Sequence, residues 1–340
     1  MHVGVRWAIV GVGLAVALAP QPLSAQDTTV VDSLPRRKAG HFHLGLTVHD
    51  YGVSFGNAAR VSGIRLNVQD AELERVNGIN VTLWKPQDPM SGVVNGIQAG
   101  VLPGSESVNG VALGVAGVVT ERRQRWLSVG GLGVVSNRSM EGVAVSGLGT
   151  VANRDIAGLA VAGLGTVANR NIHGIAIAGL GTVANGEVAG VALGGLATVA
   201  NGRFSGVGVG GLAVVTNGAL RGVGVGGLAT VANGSIAGVG ISGLAVVTDG
   251  RLTGLGIGGL AVVADQELRG LAIAGYSVDS HRIAGLSVSP YNHVRGPQYG
   301  LAIGVYNSTD ELHGVQIGLI NRAKNNRAPF KILPILNLHL

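Results

Sequence analysis

Glycine recurs at Gly142, Gly158, Gly174, Gly190, Gly206, Gly222, Gly238, Gly254 and Gly270, sixteen residues apart with no insertion or deletion. A period this strict limits the chain to folds in which each unit meets only its neighbours and all units close in the same way. Numbering the unit Gly142–Ala157, GVAVSGLGTVANRDIA, from one to sixteen turns the block into columns. Position two is aliphatic throughout (Val143, Leu159, Ile175, Val191), as is position four (Val145, Val161, Ile177, Leu193). Position seven is leucine from Leu148 to Leu260, position ten is valine from Val151 to Val263, and position fifteen is Ile156, Ile172, Val188, Phe204, Leu220, Ile236, Leu252 and Leu268. Their size assigns these five columns to the interior.

Positions three and five hold only Ala, Gly or Ser, and position six is always glycine. Alternation of aliphatic and small residues over positions one to five is a strand signal. The fold class is therefore all-β: a β-solenoid, resembling a β-helix, built from 16-residue coils with irregular terminal coils and caps. Like positions then stack at about 4.8 Å, and nine units from Trp126 to Arg269 cover roughly 43 Å of axis. Polar and charged residues gather at positions twelve to sixteen, the wet corner. There Asn137, Asn153, Asn169, Asn185, Asn201, Asn217 and Asn233 recur before giving way to Asp249 and Asp265. Stacked amides bond one another along such an axis, so this column is expected to form a structural ladder.

The pattern loosens on both sides. Upstream, Gly63, Gly78, Gly96 and Gly110 open similar phrases at spacings of fourteen to eighteen; downstream, Gly285, Gly300 and Gly314 do the same. Before them, Arg6 precedes an apolar run from Trp7 to Ala19, then Pro20 and the small-residue exit Leu23-Ser24-Ala25-Gln26, the pattern of a secretory signal peptide. The expected organisation is a signal peptide over 1–26, an N-terminal cap or linker over 27–51, irregular repeats over 52–125, regular repeats over 126–269, and irregular repeats with a C-terminal cap over 270–340. Export to the cell surface or outer membrane follows as the expected location. With no cysteine in the chain, disulfides, thiolate metal sites, a cysteine nucleophile and lipidation at the cleavage site are excluded.

From Gly300 the chain reads GLAIGVYNSTDELHGVQIGLINRAKNNRAPFKILPILNLHL. This segment resembles bacterial surface-repeat proteins of the leptospiral type, whose repeats read like GVQIGLIN. The match is closest from Gly300 onward; the other repeats keep the spacing but carry Ala and Gly where the family often has Gln. The resemblance implies an exported or surface location and carries over no catalytic residue.

Candidate chemistry is sparse. Gly206-Val207-Gly208-Val209-Gly210-Gly211 and Gly222-Val223-Gly224-Val225-Gly226-Gly227 satisfy GxGxxG, but that pattern binds dinucleotides only between a strand and a helix, and no helical stretch follows here. His41, His43 and His49 with Asp50 have metal-ligand types at strand spacing, yet a polar cap strand near the mature start accounts for them better. His281, His293 and His313, with Asp279 and Asp310 nearby, keep no spacing that predicts a catalytic triad. The threonine column Thr150, Thr166, Thr182, Thr198 and Thr230 suggests an ice-binding hydroxyl array, but Val214, Val246 and Val262 interrupt it. The net charge of +6 comes without basic side chains interleaved with aromatics in the repeats, so nucleic acid is not an expected partner. No enzyme activity, cofactor, metal or small-molecule ligand is expected. The small residues at positions one, three, five and eight are expected to form a face that packs against a second sheet of the same coil, serves self-association with another protomer, or contacts an envelope surface. An outer-membrane β-barrel, with positions one to eleven as a spanning strand, is the alternative architecture.

Overall fold

The structure is a computed structural model that describes residues 43–86 and 90–339. The expected signal peptide over 1–26, the cap residues up to 42 with His41, and Leu340 lie outside the described residues. Within them the fold is all-β with no helix, and it is a β-solenoid.

Most regular coils contribute one seven-residue strand and one four-residue strand, as in Ile156–Ala162 and Gly165–Ala168. Long strands pair with long strands and short with short, always parallel and always sixteen residues apart: Gly158 lies between Gly142 and Gly174, and Val167 between Val151 and Val183. The same register extends through the irregular phrases, linking Gly52, Gly63, Gly78, Gly96 and Gly110 upstream and Gly270, Gly285, Gly300 and Gly314 downstream. Length differences are absorbed between the paired stretches, as at the register shift between Ala264 and Glu267. Parallel pairing throughout the stack excludes the alternating strands of the barrel alternative. Among the described residues antiparallel pairs occur only at the two ends, where His43–Val48 pairs with Tyr51–Gly56 and Ile332–His339 with Tyr306–Ala323, so each terminal rung of the described stack is covered by a returning strand.

The interior is the reverse of the expected one. Positions three, five, nine, eleven and fifteen point inward, as in the buried set Ala160, Ala162, Thr166, Ala168 and Ile172. Positions two, four and seven point outward: Val143 and Val145 are 36% exposed and Leu148 47%. Valines of position ten also face outward and are covered to varying degrees by their own copies above and below. Of the five columns assigned to the interior, only position fifteen is inside. The physical reason is the short circumference. Sixteen residues at about 3.3 Å each enclose two sheets so close together that Ala, Gly, Ser and Thr fill the gap, with one larger side chain at position fifteen. Of the coverings expected for the small-residue face, the second sheet of the same coil is the one found at positions three and five, which are buried in the coil and cannot meet a partner.

Two glycine columns make this closeness possible. At position one φ is positive in every glycine from Gly52 to Gly314, and a Cβ on Gly158 would lie 2.1 Å from the carbonyl oxygen of Gly142. Regular alternation would turn position one inward; with the positive φ it is instead half-buried or exposed, a bend in the long strand. Trp126 alone occupies this column without being glycine, at φ 81° and 76% exposed. At position six a Cβ on Gly163 would come within 1.9 Å of the Gly147 carbonyl oxygen.

Interior volume is balanced coil by coil. Where position fifteen is Ile156, Ile172 or Val188, position three of the next unit is Ala160, Ala176 or Ala192. Where it is Phe204, Leu220, Ile236 or Leu252, position three is Gly208, Gly224, Gly240 or Gly256. A Cβ on Gly208 would meet Phe204 Cζ at 2.8 Å, and one on Gly224 would meet Leu220 Cδ1 at 2.8 Å. Isoleucine falls in both sets, and at Gly240 the tight neighbour is Val246 Cγ1 at 3.0 Å, with Ile236 Cδ1 at 3.8 Å; Leu268 with Ala272, in the coil that opens the irregular downstream region, departs from the pairing. Hydroxyls are exchanged in two coils: Val214 and Val246 replace threonine at position nine, and in those coils Thr216 and Thr248 appear at position eleven, whereas the coil of Val262 has Ala264 there.

Candidate functional site

Charge and amide are confined to one corner of the regular coils. From Trp126 to Ala264, positions one to eleven contain no Asp, Glu, Lys or Arg. At position twelve of that corner the asparagines lie one above another, with each Nδ2 donating to the Oδ1 one coil earlier. The distances are 3.4 Å for Asn153 to Asn137, 3.1 Å for Asn169 to Asn153 and 3.2 Å for Asn185 to Asn169. They are 2.9 Å for Asn201 to Asn185, and 3.0 Å both for Asn217 to Asn201 and for Asn233 to Asn217. The Asn137 amide donates in turn to Glu121 at 2.9 Å. Every donor points the same way along the axis, so the ladder ends by chemistry at Asn233: Asp249 has no N–H to give, and the carboxylate faces another acceptor. Asp265 instead takes Arg295 Nη2 at 3.1 Å, and Arg295 also holds Asp279 at 3.0 Å.

Ion pairs follow the same corner where the regular block begins and ends. Glu141 receives Arg123 at 3.4 Å and Arg125 at 2.9 Å; Glu267 receives Arg251, Arg269 and Arg282 at 3.5, 3.3 and 3.7 Å. The arginines are largely solvated, so these contacts set the spacing of the corner more than they add stability.

Inside the solenoid lie polar groups that the sequence columns do not announce. The threonine column faces inward, where Thr182 Oγ1 donates to the Leu193 carbonyl at 3.0 Å and Thr198 Oγ1 to the Val209 carbonyl at 2.7 Å. Both acceptors are position four of the next coil. These hydroxyls are fully buried, which removes the ice-binding comparison. Downstream, asparagine takes over the same column. Asn292 Nδ2 bonds the Ile303 carbonyl at 3.0 Å and Asn307 Oδ1 at 2.8 Å; Asn307 Nδ2 bonds the Ile317 carbonyl at 3.0 Å and Asn321 Oδ1 at 2.7 Å. This second ladder is buried, and its signal is the recurring apolar-Asn pair in Tyr291-Asn292, Tyr306-Asn307 and Ile320-Asn321. On the outside the Tyr291 and Tyr306 rings stack at 5.3 Å, and burial, followed by the fields of Tyr306 and Asp279, pushes the Tyr291 phenol above its ordinary range.

Upstream, Arg65 occupies position three and is fully buried with Asp70, its ion-pair partner. Arg65 Nη1 also donates to Asn80 Oδ1 at 3.0 Å and Nε to the Ala58 carbonyl at 3.1 Å, while Asn80 Nδ2 reaches the other Asp70 oxygen at 3.1 Å. Near it is an open cleft of about 340 Å³ lined by Thr47, Asp50, Ser54, Arg60 and Glu74 among others. Glu74 accepts from Arg60 at 2.6 Å and raises the guanidinium pKa further.

The remaining candidates do not converge. His49 and Asp50, at φ 52° and 67°, form the turn of the first hairpin, whereas His43 begins its strand. His281 abuts Gly296, His293 stacks on Tyr291 at 6.1 Å, and His313 stacks on Tyr299 at 4.9 Å, each in a different column. Among the described residues no group of three or more His, Asp or Glu is placed to hold a metal ion. Both GxGxxG strings lie within strands, in Phe204–Gly210 and Leu220–Gly226 and the turns that follow. No protein-family model matches the chain, and no curated protein or solved structure is significantly similar to it.

Proposed function

We propose that the protein is an exported, non-catalytic surface element of a bacterial cell, acting as a spacer, scaffold or adhesion element through the repeated shape of its solenoid. The observation that carries this reading is the uninterrupted register of the position-one column, seventeen coil steps from Gly52 to Gly314, or about 80 Å at about 4.8 Å per step. The regular coils of this stack present the same polar corner and the same apolar faces at successive levels, which suits display and spacing more than the convergence of a few reactive groups. The leader-like segment from Arg6 to Gln26 supports export, and the GVQIGLIN phrase at Gly314–Asn321 supports the surface-repeat reading. Fractionation of the producing cell with protease shaving of intact cells tests the proposal. The expected result is a chain that begins after the leader, sits in the envelope fraction and is cut from outside. A chain retained in the cytoplasm with its leader intact would overturn it.

A further inference from the structure

Columns two and four form an outward apolar face along the whole stack. In the upstream coils they hold Ile64 and Leu66, then Ile79 and Val81; in the middle Val207 and Val209, then Val223 and Val225; and near the end Leu301 and Ile303, then Val315 and Ile317. These side chains are exposed or half-buried, with Ile64 at 39%, Val207 at 37% and Ile317 at 41%. Meanwhile the polar side chains Arg65, Asn80 and Gln316, one residue away in position three, are fully buried. In these irregular coils the usual partition of the strand is inverted at positions two to four: polar inside, aliphatic outside. About 80 Å of axis and a width of about 15 Å give this face roughly 1,200 Å². The largest apolar patch of an ordinary monomer is about 300–600 Å², and a stable pair needs about 800 Å² from each partner.

We infer that this face is covered by a second copy of the chain, packed sheet against sheet. Area is the first argument, since the face exceeds what one side of a stable dimer contributes. Periodicity is the second: side chains that recur every ~4.8 Å along ~80 Å find matching gaps only in another stack of the same rung spacing, as in the dry interfaces between paired sheets. A two-fold pairing of identical faces is closed, so assembly stops at the dimer. One border of the face is position sixteen, where Glu141, His173, Arg221 and Arg269 are interspersed with Ala, Ser205 and Thr253, supplying the polar rim found around apolar interface centres. The inference concerns the folded chain in solution and stands apart from where the protein works in the cell.

Sedimentation of the purified full chain tests it. The expected mass is twice 34.1 kDa. V207K/V239K should sediment as the monomer with an unchanged far-UV spectrum, while R203E on the polar corner should remain dimeric. A monomeric wild-type chain, a dimer that survives the lysine pair, open-ended polymers, or wild-type monomers taken up by phosphatidylcholine vesicles would each overturn the inference, the last in favour of a lipid surface. Should the lysine pair fail to fold, a fluorophore on V207C should be several-fold less accessible to a soluble quencher than one on R203C; equal quenching would overturn it.

Discussion

Gly208 and Phe204 offer the sharpest test of how the interior is filled. An alanine Cβ at 208 would lie 2.8 Å from Phe204 Cζ and 3.2 Å from Val214 Cγ1, against the roughly 3.5–4.0 Å at which carbon atoms pack without repulsion. Phe204 and Val214 are both fully buried, so neither has solvent to move into. Overpacking of this kind costs about 1–3 kcal/mol, the expected penalty for G208A. F204V alone removes most of the ring and leaves a void, at about 2–4 kcal/mol by comparison with large-to-small core changes. Combined, the two substitutions rebuild the preceding coil, where Val188 sits with Ala192. The double variant should therefore be more stable than the sum of the singles predicts, by a coupling of about 1–3 kcal/mol. Urea unfolding followed by circular dichroism, with amide exchange to localise the change, measures the cycle. Additive penalties within about 0.5 kcal/mol, or a neutral G208A, would refute the volume balance.

Four further outcomes follow from named residues. W126G should raise the denaturation midpoint by the equivalent of a few tenths to about 1 kcal/mol, because relief of positive-φ strain of ~1–2 kcal/mol exceeds the added freedom of the unfolded chain; a lower midpoint would contradict the strain. D249N should extend the outer ladder to Asn233 and stabilise by about 0.5 kcal/mol, and N201D should cost a similar amount by removing a mid-ladder donor; equilibrium unfolding of both decides. R65M should strand Asp70 in the interior at a cost of about 3–5 kcal/mol, visible as proteolysis confined to the first coils. The Tyr291 phenol should ionise above the ordinary tyrosine range of about 10. Its raised pKa stabilises the fold below that range and is lost as pH rises toward the folded value, so ultraviolet titration should lose its latest-ionising component in Y291F.

The period, the strand content and the stacking were legible because strict spacing leaves one economical way to close a coil. The direction of each side chain was not. Alternation separates two faces without saying which is inside, and the larger residues were assigned inward on the ordinary rule that bulk and apolarity are buried. In this coil the enclosed space is too thin for Val145, Leu148 and their copies, and it selects Ala144, Ser146, Thr150 and Ala152 instead. The outer asparagine ladder could be read because its column is unbroken for seven coils. The buried Asn292, Asn307 and Asn321 were hidden by variable spacing, which places them in the threonine column only once register is known. Arg65 gave no signal in the sequence, since nothing local to it announces that Asp70 and Asn80 meet it inside.

Central to the account is that residues sixteen apart stand directly above one another with strands running the same way. Absence of native cysteine allows spin labels to be placed on position sixteen, pairing A157C in turn with S205C, R221C and A237C, in chains diluted with unlabelled protein. Pulsed electron resonance should give label separations that rise steadily from about 14 to about 19 to about 24 Å, one ~4.8 Å rung per added coil. Separations that alternate between short and long as coils are added would mean antiparallel neighbours and would contradict the solenoid.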